Sequence, residues 1–151
     1  MKQLLKMSKQ NKKLKQTLIF DLPSGKTCPM ASECHSYAVM NNNGKLTVKD
    51  GDNNKFRCFA ASQEAQYPNV YKARKYNLDL IKNTLNSQDG FYKTYQLIND
   101  SIQEHKTRNI NKVRIHSSGD FFNGQYLRAW LAVARLNPKL KFYCYSKSLH
   151  L

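Results

Sequence analysis

The 151 residues are 40% hydrophobic and 11% aromatic, enough apolar surface to bury one core without cross-links, which excludes a disordered polyelectrolyte. Lys and Arg number 25 against 10 Asp and Glu, and the resulting formal charge of +15 attracts phosphate backbones and anionic ligands without saying which. No window approaches the roughly 20 apolar residues of a membrane span, and Leu4, Leu5 and Met7 form no signal-peptide run, so the expected location is the cytoplasm. In a reducing compartment the four cysteines read as metal ligands, reactive thiols or core residues before they read as disulfides.

Residues 1–16, "MKQLLKMSKQNKKLKQ", carry six lysines and no acid. They predict a basic N-terminal segment, either a solvated terminus or an arm on nucleic acid. Residues 17–151 read as a single α/β domain. In "QTLIFDLPSGKTCP", Leu18, Phe20 and Leu22 alternate, and Pro23 and Gly25 close a short strand that leaves the core for a loop. "MNNNGKLTVKDGDNNKFRC" predicts a turn, a short extended piece around Leu46 and Val48, and a second turn.

Val70, Ala73, Asn77, Leu80, Ile81 and Leu85 stand near helical spacing and predict a helix over 69–86, with Asn69 as its N-cap. Phe91, Tyr95, Ile98 and Ile102 predict a second helix on the same core. Val113 and Ile115 mark a strand, and Tyr126, Leu127, Trp130, Val133, Ala134 and Leu136 mark a helix that Pro138 ends. "LKFYCYSKSL" returns as a strand, with Cys144 as a small core residue. Such a βαβ unit requires parallel strands and a right-handed crossover.

In parallel α/β architectures the loops leaving the carboxyl ends of strands form the site. The loops "HSSGDFFNG" and "SKSLHL" should therefore bring Ser117, Ser118, Asp120, Ser146 and Lys147 to one face. Gly119 admits close backbone approach, Asp120 accepts hydrogen bonds, and Lys147 suits a carboxylate or phosphate. The plainer alternative is that Asp120 caps the following helix and Gly119 serves the turn. His116 reads as a core or supporting histidine before a ligand.

Cys28 and Cys34 share one loop around Pro29, and Cys58 follows another, so three thiolates could converge on a metal or an iron–sulfur cluster. The alternative is separate thiols. The spacing is not that of a zinc knuckle, and His35 is a conceivable fourth ligand. Ser62, Gln63 and Glu64 either cap the following helix or line the site beside Cys58.

Taken together, "LPSGKTCPMASECHSYAV", "KFRCFAASQEAQYPNV", "VRIHSSGDFFNGQYLRAWLAVARLNP" and "FYCYSKSL" resemble the phage family called gene product 88-like, in order from about Leu22 to Leu149. The resemblance brings no known reaction, and for a phage-encoded chain the cytoplasm is the host's. Longer members of that family imply a further C-terminal portion with more cysteines and the rest of a barrel, so the expectation from the resemblance is that this chain is a truncated gene, a fragment or a minimal version. More distantly, early loop cysteines followed by parallel βα units are similar to radical S-adenosylmethionine enzymes, in which three cysteines hold a [4Fe–4S] cluster at the strand ends of a partial TIM-like barrel. Here Cys58 lies far downstream of Cys28 and Cys34, unlike the single short loop of those enzymes.

The expectation is thus an α/β phage protein made of parallel βα units resembling part of a TIM-like barrel. It binds an iron–sulfur cluster or zinc through Cys28, Cys34 and Cys58, and Ser117, Ser118, Gly119, Asp120, Ser146 and Lys147 form an adjoining pocket that S-adenosylmethionine or an anionic ligand would occupy. The rival is a basic nucleic-acid-binding or host-interacting factor with structural cysteines, favoured by the Tyr-rich stretches "YPNVYKARKY" and "FYKTY". A nonfunctional remnant is the third reading. Open sheet edges in so short a chain would call for self-association or a partner protein.

Overall fold

A computed structural model of the chain describes residues 2–9 and 12–151; of the basic segment 1–16, positions 1, 10 and 11 lie outside the described residues. The central sheet has the order β1-β2-β5-β6, built from β1 (Met7–Ser8), β2 (Thr17–Phe20), β5 (Lys112–Ile115) and β6 (Lys141–Cys144). β2, β5 and β6 run parallel, with Leu18 opposite Val113 and Val113 opposite Phe142, while β1 is antiparallel to β2. A second, two-stranded sheet pairs β3 (Tyr37–Met40) with β4 (Leu46–Lys49). The helices are α1 (Phe59–Gln66), α2 (Pro68–Leu85), α3 (Gly90–His105) and α4 (Gly124–Leu136).

The parallel βα arrangement agrees with the sequence reading; the barrel does not. β1 and β6 stand at opposite edges of a four-stranded sheet, so the described strands do not close on themselves. The N-terminal stretch also departs from a solvated end. Leu5 is fully buried in the main core, and the backbone amides of Leu5 and Lys6 donate to Ser101 Oγ at 2.9 Å and Asn77 Oδ1 at 2.8 Å. Lys2, Lys6 and Lys9 hide this, because their exposed side chains surround a buried Leu5 and a half-buried Met7 that pack on the core.

β2 is buried at all four positions, as a strand flanked on both sides must be. Its Leu18 and Phe20 join Val113, Ile115, Trp130, Val133, Ile81, Ile98 and Ile102 in one core. α2 begins one residue before the expected cap: Tyr67 is the extended N-cap and Pro68 takes the first helical position, where its fixed φ suits and its missing N–H costs nothing. Between α2 and α3 the chains nearly touch, since a Cβ on Gly90 would sit 1.9 Å from the carbonyl oxygen of Leu85. Cys144, expected in the core, is exposed because β6 has a neighbour on only one side.

Candidate functional site

The carboxyl ends of β2 and β5 are laced together directly beyond the sheet. Asp21 Oδ1 accepts from the amides of Ser117 at 2.7 Å and Ser118 at 3.0 Å, and the Leu22 amide donates to Ser118 O at 3.0 Å. His116, the residue that turns β5 into this loop, has φ of 66°, a left-handed conformation that a non-glycine residue adopts only when its surroundings enforce it. Gly119 follows at φ 81°, and a Cβ there would meet Leu22 Cβ and Thr27 Oγ1 at 2.7 Å, so only glycine lets the two loops close up.

Asp120 does not cap α4. That role belongs to Asn123, whose side chain accepts from the Tyr126 amide at 2.8 Å. Asp120 instead binds the loop after β6: Ser146 Oγ donates to its Oδ1 at 2.6 Å and the Lys147 amide to its Oδ2 at 2.8 Å. The carboxylate is 5% exposed, so these donors replace the water it has lost. Ser148 completes the clasp by donating to Phe121 O at 2.7 Å.

Over this clasp lies a cavity of about 260 Å³. Its walls include Ser117, Ser118, Gly119, Asp120, Ser146 and Lys147 from the two strand-end loops, and Cys28, Cys34 and Cys58 from the segments that precede the helices. The three cysteines and the six loop residues expected beside them therefore border one space. The cysteines are free thiols, half-buried in each case. Burial pushes the Cys28 thiol up to about 11, against smaller opposing hydrogen bonds from Thr27 and the Gly25 backbone. Lys147 Nζ lies 3.5 Å from Cys34 Sγ.

The thiols share the cavity without forming a ready coordination set. Among the described residues no group of three or more His, Cys, Asp or Glu side chains is arranged to hold a metal ion. His35 is not part of the cavity wall; its Nε2 lies 3.0 Å from Cys28 O and ties the cysteine loop to itself. The donor chemistry suits a soft metal, whereas the arrangement would have to contract around one.

Behind the cavity stands a buried polar network that the sequence reading missed in part. Glu64 lies within α1, a helix in its own right and not a prelude to α2, and is 1% exposed. It accepts from the Ser24 amide and hydroxyl, each at 3.0 Å, and from Arg74 Nη1 at 2.9 Å. Arg74 also donates to Gln63 Oε1 at 2.7 Å and reaches Asp21 Oδ2 at 3.3 Å. A second cavity of about 280 Å³ opens on its other side, walled by Asp21, Gln63, Arg74, Asn77, Ser117 and the β1 residues. Apolar periodicity cannot reveal Arg74, because it is a charged side chain at a buried helical position; Asn77, one helical turn on and also buried, is the polar residue that interrupts the apolar spacing of α2.

His116 sits beneath the loop, 3% exposed, with Nε2 2.8 Å from Tyr126 Oη. Burial pushes it down to about 4, although Asp120 and Asp21 pull the other way. It is a neutral supporting histidine, in keeping with its first reading.

A parallel α/β sheet with a strand-end cavity is the class that fold and site define. The family model described as Gene product 88 matches residues 2–151, and the chain belongs to that family. A relative, the Gene 88 protein of Mycobacterium phage L5, is 28% identical over 91 residues, which are 60% of this chain and 38% of that protein. The chain thus spans well under two thirds of the length of that relative. No solved structure matches the chain. Neither the family description nor the relative's name refers to radical S-adenosylmethionine enzymes. No helix among the described residues is long and apolar enough to cross a membrane.

Proposed function

We propose that this phage-family protein binds a thiophilic metal centre at the strand-end cavity, an iron–sulfur cluster in first place and zinc in second. Cys28, Cys34 and Cys58 would be its protein ligands. The observation that carries the reading is that three free cysteines from separate stretches of chain border one cavity together with the loops after β5 and β6. Irregular backbone carries Cys28 and Cys34, and a loop can draw inward around a metal more readily than a helix or strand.

Loading has two local consequences. Cys28, a neutral thiol at physiological pH, must give up its proton to become a ligand. Lys147 must exchange its contact with the free Cys34 thiol for one with a metal-bound thiolate, whose negative charge it would help to balance. The reading is one of binding, and assigns no reaction.

The test is anaerobic purification followed by iron, sulfide and zinc analysis and a visible spectrum, on the parent chain and on Cys28→Ser, Cys34→Ser and Cys58→Ser. Brown protein holding iron and sulfide, lost in each variant, is the expected result for a cluster; colourless protein with stoichiometric zinc would select the second metal. Metal-free protein with three freely titratable thiols would sink the reading.

A further inference from the structure

We propose that the rim of the same cavity is a binding surface for single-stranded nucleic acid, which lays its bases on three exposed aromatic rings. Phe59 is 82% exposed, Tyr145 75% and Phe56 53%. Tyr145 is part of the wall, Phe56 lies under the ammonium of the wall residue Lys147, and Phe59 opens α1 directly after the wall residue Cys58. Large exposed rings gathered near one opening mark an interaction surface more than rings scattered singly do.

Cations accompany the rings. Lys147 Nζ is 5.7 Å from the Phe56 centroid, and the Arg114 guanidinium carbon is 5.7 Å from the Tyr145 centroid. Neither Lys147 nor Arg114 has a carboxylate within ion-pair distance among the described residues. An apolar peptide or second copy laid on the rim would bury these charges unmatched. A phosphate backbone matches them, and the formal charge of +15 supplies the long-range attraction. Exposed rings beside unpaired cations suit unstacked bases, which a duplex does not offer.

Lys147 also touches Cys34 Sγ, so the test uses chain stripped of metal by a chelator, which separates this surface from the proposed metal site. A labelled oligo(dT) of about 20 nucleotides, the corresponding oligo(rU) and a duplex of the same length are titrated at rising salt. The expected result is tighter binding of the single strands than of the duplex, with affinity falling as salt rises. Phe59→Ala, Phe56→Ala and Tyr145→Ala should each weaken it roughly tenfold, and Phe59→Tyr should restore it. Tyr92→Ala, an exposed ring on α3, should leave affinity unchanged. Unchanged affinity in the triple alanine chain, equal loss in Tyr92→Ala, or preference for the duplex would overturn the proposal. Concentration-dependent association lost in the same variants, with no oligonucleotide bound, would assign the rim to a second copy and overturn it as well.

Discussion

Arg74 and Glu64 form a buried ion pair, Nη1 to Oε1 at 2.9 Å, that joins the wall of one cavity to the back of the other. Glu64 holds the Ser24 loop and approaches Ser118, while Arg74 holds Asp21. Both side chains are almost wholly enclosed, so their mutual attraction is set against a large cost of dehydration.

Replacing Arg74 with Met should therefore destabilise the fold by about 3–5 kcal/mol, because Glu64 and Asp21 would lose their shared cation while Glu64 stays buried. The double variant Arg74→Met, Glu64→Gln should recover part of that loss by removing the stranded charge. Urea unfolding of the three chains measures both steps. Equal stability of parent and Arg74→Met would show that the pair contributes nothing net.

Asp120→Asn tests the clasp between the two strand-end loops. The amide presents a donor where the carboxylate accepts, so either the Phe121 amide, which donates to Oδ1 at 2.7 Å, or the Lys147 amide, which donates to Oδ2, loses its acceptor, while the Ser146 hydroxyl can turn to accept. The expected cost is roughly 1–3 kcal/mol. Faster proteolysis within residues 145–151 than in the parent should accompany it, since Asp120 is the anchor for that loop. Cleavage at the parent's rate would show the loop is held by Ser148 alone.

The βαβ half of this architecture was legible because its pattern is strong: Val113 and Ile115 bracket a strand, Tyr126, Trp130 and Val133 recur at helical spacing, and the loops that follow each strand had to share an end of the sheet. That topology brings Ser117, Ser118, Gly119, Asp120, Ser146 and Lys147 to one cavity. The convergence of Cys28, Cys34 and Cys58 on the same end depends on how irregular loops fold back, which no periodicity encodes. Three other features escaped for physical reasons. β3 buries only Ala38 of its four residues, α1 presents its largest apolar residue, Phe59, to solvent, and Leu5 is a single buried leucine amid lysines. Asn123 caps α4 while Asp120 binds the loop after β6, so tertiary contacts settle the choice between two adequate cap residues.

His116 gives the fold a defined acid sensitivity. Its ordinary value is 6.5 and its folded value about 4, so between these limits the unfolded chain binds the extra proton. Stability from this group is complete above pH 6.5 and declines as pH falls towards 4. A shift of this size corresponds to about 3 kcal/mol. Urea midpoints should fall between pH 6.5 and 4.5 in the parent and fall less in His116→Phe. Parallel slopes in the two chains would assign the acid sensitivity to the carboxylates or to the remaining histidines.

Cys28 offers the sharpest chemical readout of the cavity. With the thiol raised from 9.0 to about 11 by burial, its thiolate fraction at pH 8 is roughly a hundredfold lower in the folded chain than in the unfolded one. Because the thiolate is the nucleophile, iodoacetamide should modify Cys28 in the metal-free native chain slower than in urea by about that factor. The native rate should still be climbing above pH 9, where an ordinary thiol is levelling off. Peptide mapping after timed quenching separates Cys28 from Cys34, Cys58 and the exposed Cys144. A native Cys28 that reacts as fast as the unfolded one at pH 8 would mean that the thiol is not held in a desolvated environment. Zinc titration at neutral pH supplies the complementary measurement: a ligand that starts protonated must release its proton to the buffer on loading, and Cys28→Ser should remove that share of the release.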